Sequence, residues 1–345
     1  MKKLVSLLLA AMMLSACMTG CGSTKEAAAP AADPAPAAEP APAAEPAPAA
    51  ENTELKFTTG GSSGTYFAFG NVLAGEISKT TGTTVTAVEG NGSQANIELM
   101  EMGDMQLAFC QSDVMAYAYD GTNLFADYGA VDCFSTVAAL YMEQVQIVTV
   151  DPEIKTVADL AGKNVSIGAA GSGVYFNAID ILGAYGLTEE DINPTYQSFG
   201  DSTEALKDGK IDAAFVVAGA PTAAVTELAS AKDTYLVSLD DEHVAALLEA
   251  SPYYSQYTIG ADVYGLTEDT NTVAVGAVVL TRDDVSEDDV YNVVSGIFEN
   301  LEEITTAHAK GAELSLEFAS SVTSVPYHAG AAKYFAEKGI EVPTK

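Results

Sequence analysis

A five-residue pattern, Ser-Gly-x-Tyr-Phe, occurs twice in this sequence, at residues 63–67 and again at 172–176. Each copy follows an apolar segment typical of a strand and precedes an apolar periodicity typical of a helix. A second pattern follows each copy, Gly-Asp-Met-Gln-Leu-Ala-Phe at 103–109 and Gly-Lys-Ile-Asp-Ala-Ala-Phe at 209–215. Because the two patterns recur in the same order, the sequence predicts two α/β units of similar plan.

Each Ser-Gly turn is expected to begin a helix at the carboxyl end of a strand. The first turn of a helix carries free N–H groups and a partial positive charge, which suit an anion. Ligands of α/β sheets bind at this edge of the sheet. The duplicated turn therefore predicts two lobes that face each other across a cleft, with a small anionic solute between them.

Alternating strand and helix patterns predict an α/β fold of mainly parallel sheets flanked by helices. The predicted strands are 55–59, 84–88, 106–110, 136–141, 145–150, 164–167, 213–217 and 272–280. The predicted helices are 65–79, one capped by Ser93, 175–185, 286–307 and 327–338. Segments 145–150 and 272–280 are expected to cross between the lobes, which assigns 54–144 plus 272–345 to lobe I and 145–271 to lobe II.

Residues 1–16 have the pattern of a lipoprotein signal peptide. A basic start precedes an apolar run at 4–14, and Leu14-Ser15-Ala16-Cys17 is typical of a lipobox. Cys17 is the predicted lipidation site, and Cys21 has a poorer approach sequence. Residues 17–53 then form a spacer with three Asp/Glu-Pro-Ala-Pro-Ala-Ala repeats, a composition that cannot build a core. We expect a monomer on the extracytoplasmic face of the membrane, held only by its lipid; an ordinary signal peptide is the alternative.

The charge of the chain excludes some partners. The formal net charge is −33, so nucleic acid and anionic lipid surfaces repel this protein. The acidic clusters at 240–242 and 283–289 are interpreted as solvated helix starts. Surface calcium binding there is the alternative, although neither cluster has the ligand spacing of an EF-hand loop.

Motifs for catalysis are absent from the sequence. It has three histidines and lacks a Gly-x-Ser-x-Gly elbow, a His-Glu-x-x-His pair, a Cys-x-x-Cys spacing and a P-loop. The prediction is a protein that is not an enzyme, with no cofactor, no metal site and no catalytic residue. Cys110 and Cys133 are interpreted either as a disulfide or as two small apolar side chains.

Candidate ligand contacts lie in the turns that follow the predicted strands. The only arginine, Arg282, stands beside acidic residues and is expected to pair with them at the surface. A bound carboxylate would then be held by hydroxyls and backbone N–H groups, and Asp113 would pair with an amino group if the ligand is an amino acid. The candidates are Gly61, Ser62, Ser63, Gly64, Thr65, Tyr66, Asn91, Ser93, Gln111, Asp113, Ser172, Gly173, Val174, Tyr175, Gly219 and Pro221.

Several of these candidates also have a purely structural interpretation. Ser63 and Ser172 could cap helices, and Tyr66 and Tyr175 could be core residues. The polar side chains that follow the second and third predicted strands could serve only as turn, cap or strand-end residues.

Longer segments resemble a known family. They are Gly-Gly-Ser-Ser-Gly-Thr-Tyr at 60–66, Val-Ala-Asp-Leu-Ala-Gly-Lys-Asn-Val-Ser-Ile-Gly at 157–168, Gly-Ser-Gly at 171–173, the stretch ending in Gly-Ala-Pro at 206–221, and Thr-Arg-Asp-Asp-Val at 281–285. Together they resemble the TAXI-type solute receptors of TRAP transporters, from about residue 55 to the C-terminus. One departure is Val174-Tyr175, where the family often has Thr-Glu after its second Ser-Gly.

The resemblance implies a type II periplasmic-binding-protein fold with the ligand cleft between two lobes. It also implies a receptor that captures a small carboxylate, such as glutamate or 2-oxoglutarate, and delivers it to an integral membrane TRAP subunit. Two alternatives keep the fold and change the partner. One is the binding lipoprotein of an ATP-driven importer of phosphonates, sulfonates or thiamine precursors, and the other is a tethered sensor.

Overall fold

The structure, a computed structural model, describes residues 54–345. The predicted signal peptide at 1–16, the lipidation candidates Cys17 and Cys21 and the spacer at 17–53 lie outside the described residues. Within 54–345, no helix is both long enough and apolar enough to cross a bilayer.

Ten strands form one continuous mixed sheet in the order β2-β1-β3-β10-β4-β7-β5-β6, with β8 beside β4 and β9 beside β10. The strands are β1 Glu54–Thr58, β2 Thr84–Val88, β3 Leu107–Gln111, β4 Phe134–Thr149, β5 Asn164–Ser166, β6 Asn193–Thr195, β7 Ala213–Ala218, β8 Tyr235–Leu236, β9 Ser255–Ile259 and β10 Thr270–Arg282. We call β2, β1 and β3 the first half of the sheet and β7, β5 and β6 the second half.

Eleven α-helices accompany the described sheet. They are α1 Thr65–Thr80, α2 Ser93–Glu101, α3 Ser112–Asp120, α4 Val174–Ala184, α5 Phe199–Lys207, α6 Ala223–Ala231, α7 Asp241–Ala250, α8 Glu287–Phe298, α9 Leu301–Ala307, α10 Leu316–Ala319 and α11 Ala329–Glu337. The expected alternation of strands and helices is confirmed in both halves.

Two long strands join the halves. β4 and β10 pair antiparallel from Phe134 opposite Arg282 to Gln144 opposite Ala274. Along its length β10 also pairs with β3 of the first half, and β4 pairs with β7 of the second half. The expected crossing segments at 145–150 and 272–280 belong to these two strands. The lobe boundaries at 144/145 and 271/272 stay a prediction.

The prediction of separate strands at 136–141 and 145–150 was wrong, because β4 runs through without a break. Every residue of β4 is buried except Met142, which is partly buried, so no polar turn is exposed along it. Strand pairing is parallel within each half and antiparallel wherever β4 or β10 takes part. The sheet is therefore mixed, with its parallel parts at the two sides.

Helix α1 packs on the sheet through apolar residues that recur at helical spacing in the sequence. Tyr66, Phe69, Leu73 and Ile77 recur at helical spacing, and all four are buried against the first half of the sheet. Burying each side chain of this size stabilises the fold by roughly 1.5–3 kcal/mol. This apolar face fixes where the first turn of α1 lies.

Two helix predictions need correction. Ser93 is the first residue of α2 and does not cap it; the N-cap is Gly92, at a φ of 102° that favours glycine. The predicted helix 286–307 is two helices, α8 and α9. Asn300 separates them, because its side-chain amide donates to the Gly296 carbonyl at 2.9 Å and competes with the backbone pattern.

Phe335 provides a test of the core away from the sheet edge. It is fully buried against the rings of Tyr327 and Tyr334. We expect Phe335→Ala to lower the free energy of unfolding by about 3–5 kcal/mol, measured by urea denaturation, because it leaves a cavity. Met102→Ala, at a side chain 66% exposed, should change it by no more than about 0.5 kcal/mol. Equal effects of the two substitutions would contradict the assigned core.

Candidate functional site

A cavity of about 120 Å³ lies where the carboxyl ends of strands from both halves meet. Its wall is formed by the turns after β1, β2, β5 and β6 and by the ends of β3 and β7. The lining residues are Gly60, Gly61, Ser62, Ser63, Gly64, Thr65, Tyr66, Glu89, Gly90, Asn91, Gly92, Ser93, Gln111, Glu143, Ala169, Ser172, Gly173, Val174, Gln197, Ser198, Phe199, Gly200, Val217 and Ala218.

Five helices, α1 to α5, have their N-cap residue in the cavity wall; that of α3 is Gln111, and Asp113 lies in its first turn. Helices α1, α2 and α4 have glycine N-caps, at Gly64, Gly92 and Gly173, with no side-chain cap and no acidic residue in the first turn. Helix α5 differs, because the Ser198 side chain accepts from the Asp201 N–H at its start. Uncapped first turns leave N–H donors and a positive potential for a bound group. The cavity wall therefore favours an anion through its backbone.

The Ser172 hydroxyl is a further unused polar group. The side chain is 6% exposed, lines the cavity, and its Oγ finds no hydrogen-bond partner among residues 54–345. A buried hydroxyl without a partner costs about 1–3 kcal/mol, a cost that a ligand atom can remove. The interpretation of Ser63 and Ser172 as helix caps was wrong, since the glycine that follows each serine is the N-cap.

Hydrogen bonds cross the cleft beside the cavity. From the first half, the Gln111 side chain donates to Asn177 Oδ1 at 2.6 Å, and the Thr65 hydroxyl donates to the Gly219 carbonyl at 2.9 Å. The backbone of the two halves also meets, because the Ala95 N–H donates to the Gly171 carbonyl at 2.9 Å. The structure thus has the halves in contact around the cavity, as in a closed cleft.

Most of the predicted contact residues lie in this wall, and four do not. Asp113 is fully buried and accepts from Asn177 Nδ2 at 2.8 Å. Tyr175 donates to Glu189, while Gly219 and Pro221 follow β7 outside the lining. The other twelve candidates are brought together at the cavity: Gly61, Ser62, Ser63, Gly64, Thr65, Tyr66, Asn91, Ser93, Gln111, Ser172, Gly173 and Val174.

Sequence reasoning missed the acidic part of the wall and the turn before α5. Glu143 is 2% exposed, and its Oε2 accepts from the Tyr66 hydroxyl at 2.7 Å. Burial raises the pKa of Glu143 to about 8, although the Tyr66 bond acts against that rise. Glu89 accepts from the Ser62 N–H at 2.8 Å, and Phe199 lies against Gly64. A glutamate inside the apolar run of β4 was the available signal.

The basic side chains near the cleft have other partners. None of the described lining residues is Lys, Arg or His. Arg282 forms two hydrogen bonds to Asp284, at 2.9 Å and 2.6 Å, so its predicted surface pairing is confirmed.

Cys110 and Cys133 are both free thiols. Residues 54–345 contain no group of three or more His, Cys, Asp or Glu side chains that could hold a metal ion.

The NMT1-like family model matches residues 57–339. The chain belongs to the NMT1-like family. Among solved structures it is similar to one described as a periplasmic transporter, with 14% identity, a TM-score of 0.53, and coverage of 85% of this chain and 99% of that chain. A protein of Bordetella bronchiseptica RB50 gives 16% identity and a TM-score of 0.50, with coverage of 82% and 88%.

The alkanesulfonate-binding protein SsuA from Xanthomonas axonopodis pv. citri, bound to MOPS, gives 16% identity and a TM-score of 0.47, with coverage of 84% of this chain and 92% of that chain. At these identities the structural likenesses bear on the fold alone. The expected α/β fold of the type II periplasmic-binding-protein class is confirmed.

Gly173 tests the close approach of the halves. A Cβ on Gly173 would stand 1.4 Å from Gln111 Oε1, whereas one on Gly183 of the same helix would meet nothing within 4 Å. We expect Gly173→Ala to cost about 1–3 kcal/mol of stability or to hold the cleft open, seen by denaturation and small-angle X-ray scattering. Gly183→Ala should leave the scattering unchanged and stabilise by up to about 1 kcal/mol. Identical behaviour of the two variants would refute the close contact.

Asp113 should make stability depend on pH. Burial raises its pKa to about 6, the largest effect, while the Asn177 bond acts against it and Asp180 adds to it. Between pH 4 and 6 the Asp113 carboxyl therefore stays protonated in the native state but is ionised in the unfolded state. Its contribution to stability falls as pH rises through this range. From pH 4 to pH 6, the free energy of unfolding of the wild type should fall by about 3 kcal/mol relative to that of Asp113→Asn, measured by urea denaturation at each pH. A pH-independent difference between them would contradict the raised pKa.

Proposed function

We propose that this protein is a solute-binding receptor that closes its cleft around a small solute carrying a carboxylate or a similar anionic group. The observation that carries the proposal is the meeting of three uncapped helix starts, from both halves of the sheet, at one small cavity. A cavity of about 120 Å³ suits a small metabolite.

The anionic group would be held without a basic side chain. Hydroxyls of Ser63 and Ser172 and the N–H groups of the first turns of α1 and α4 supply the donors. Hydrogen bonds to a charged group contribute roughly 1.5–3 kcal/mol each. A few of them support micromolar binding, about −8 kcal/mol, after the cost of ordering the ligand.

Delivery to a membrane transporter completes the proposed role, because lobe closure creates a surface that an open receptor lacks. The TAXI-type resemblance favours a TRAP carrier, with a lipid anchor at Cys17 on the extracytoplasmic face. An ATP-driven importer is the alternative carrier. Reconstituted uptake separates them, since a TRAP carrier requires an ion gradient and an importer of the other class requires ATP hydrolysis.

A thermal-shift screen tests the receptor role. The full-length protein in detergent is first unfolded and refolded to remove any bound solute. The panel contains glutamate, glutamine, 2-oxoglutarate, succinate, fumarate, phosphonates and a sulfonate. A solute at one hundred times its Kd should add about 2.7 kcal/mol of stability, which raises Tm by a few degrees.

Glycerol and glucose, which carry no anionic group, are the matched negative controls. A shift with an anion and none with the neutral solutes supports the proposal. A shift with neutral solutes alone would contradict the anionic part of it, and no shift with any anion of the panel would contradict the receptor role for these solutes.

A further inference from the structure

The carboxylate of Glu143 is built into the cavity wall. It projects from the middle of β4, the strand that joins the halves, and is 2% exposed. One oxygen, Oε2, accepts from the Tyr66 hydroxyl at 2.7 Å. Within residues 54–345 the other oxygen has no hydrogen-bond donor. Tyr66 itself is stacked on Phe109 with ring centroids 4.5 Å apart, so the pair is held in place.

The groups around Glu143 do not neutralise it by direct contact. Lys310, on the turn Ala309–Glu313, is 3% exposed and forms its ion pair with Glu313. Asp113 on α3 adds negative charge, and Tyr141 two residues earlier on β4 is buried with its hydroxyl unpaired within the described chain. Cys110 on β3 is a buried thiol.

A solute with only anionic groups therefore meets a conflict in this cavity. The helix starts of α1, α2 and α4 attract its negative charge, whereas Glu89 in the same wall repels it and the Glu143 carboxyl must keep its proton beside it. A solute that also carries a positive nitrogen removes the conflict, because its N–H groups can donate to the free oxygen of Glu143.

We propose that Glu143 is the subsite for a protonated amine of the solute, so that the ligand class is a small zwitterion with an ammonium as well as an anionic group. This inference rests on the proposed receptor function. Tyr66 is then a positioning residue that orients the Glu143 carboxylate, and the helix starts take the anionic end.

Binding of an ammonium at Glu143 should release a proton from the protein. In the empty cleft, burial raises the pKa of Glu143 to about 8, so the carboxyl holds a proton at pH 7. An incoming ammonium favours the carboxylate, and the displaced proton goes to the solvent. Affinity for a zwitterion should therefore rise with pH from 6.5 to 8, whereas affinity for an anion without an amine should fall over the same range.

Isothermal titration calorimetry with matched pairs of probes tests the inference on the full-length protein in detergent. The pairs are glutamate and 2-oxoglutarate, aspartate and succinate, aminomethylphosphonate and methylphosphonate, and taurine and ethanesulfonate. We expect at least one amine-bearing member to bind about tenfold or more tighter than its partner. It should release up to one proton at pH 7, measured in two buffers of different ionisation enthalpy.

Variants assign the effect to one side chain. Glu143→Gln keeps the shape and can still accept from Tyr66, so it should lose about tenfold or more in affinity for the amine-bearing probe, with no proton release. Its affinity for the amine-free partner should change less than threefold. Glu302→Gln makes the same substitution on the exposed face of α9, away from the cavity, and should leave binding unaltered.

The outcomes separate the two proposals. Equal or tighter binding of the amine-free members, or proton release that persists in Glu143→Gln, overturns the amine subsite and leaves the receptor role standing. Absence of binding for all four pairs overturns the receptor role for these solutes, and the amine subsite with it. If Glu143→Gln fails to fold, the pH dependence of the wild-type affinity decides. An affinity for the amine-bearing probe that does not rise from pH 6.5 to 8 overturns the amine subsite.

Discussion

The antiparallel pairing of β4 with β10 is the interaction on which the rest of this structure depends. Both strands are almost entirely buried; β10 pairs with β3 of the first half, β4 pairs with β7 of the second half, and the two strands pair with each other. Without these strands the two α/β units would share no backbone ladder. The same strands place Glu143 between the halves, so the scaffold and the chemistry of the cavity come from one element.

The cavity wall has two parts that differ in their charge. Backbone N–H groups at helix starts give one side a positive potential that does not titrate. The Glu143 carboxyl, whose pKa burial raises to about 8, gives another side a charge that depends on pH. A cavity wall of this kind, with no arginine among its described residues, can bind a negative group and still discriminate by the rest of the ligand.

The duplicated Ser-Gly turn predicted the cavity from the sequence because both copies begin uncapped helices there. The fold class and most strands were also predictable, since they follow from apolar periodicity. Glu143 was not found, because the strand 136–150 was divided in two and its only acid fell in the supposed gap. Asp113 was predicted to contact ligand from its place after β3, but the direction of its side chain depends on Asn177, which is 64 residues away in the sequence.

The central claim is that both halves close on one solute through their helix starts. Hydrogen–deuterium exchange, with and without a solute that stabilises the protein, tests it most directly. The account predicts slower exchange at the first turns of α1 and α2 in the first half and of α4 in the second half, all in the same experiment. Protection confined to one half, or absent from these turns, would contradict it.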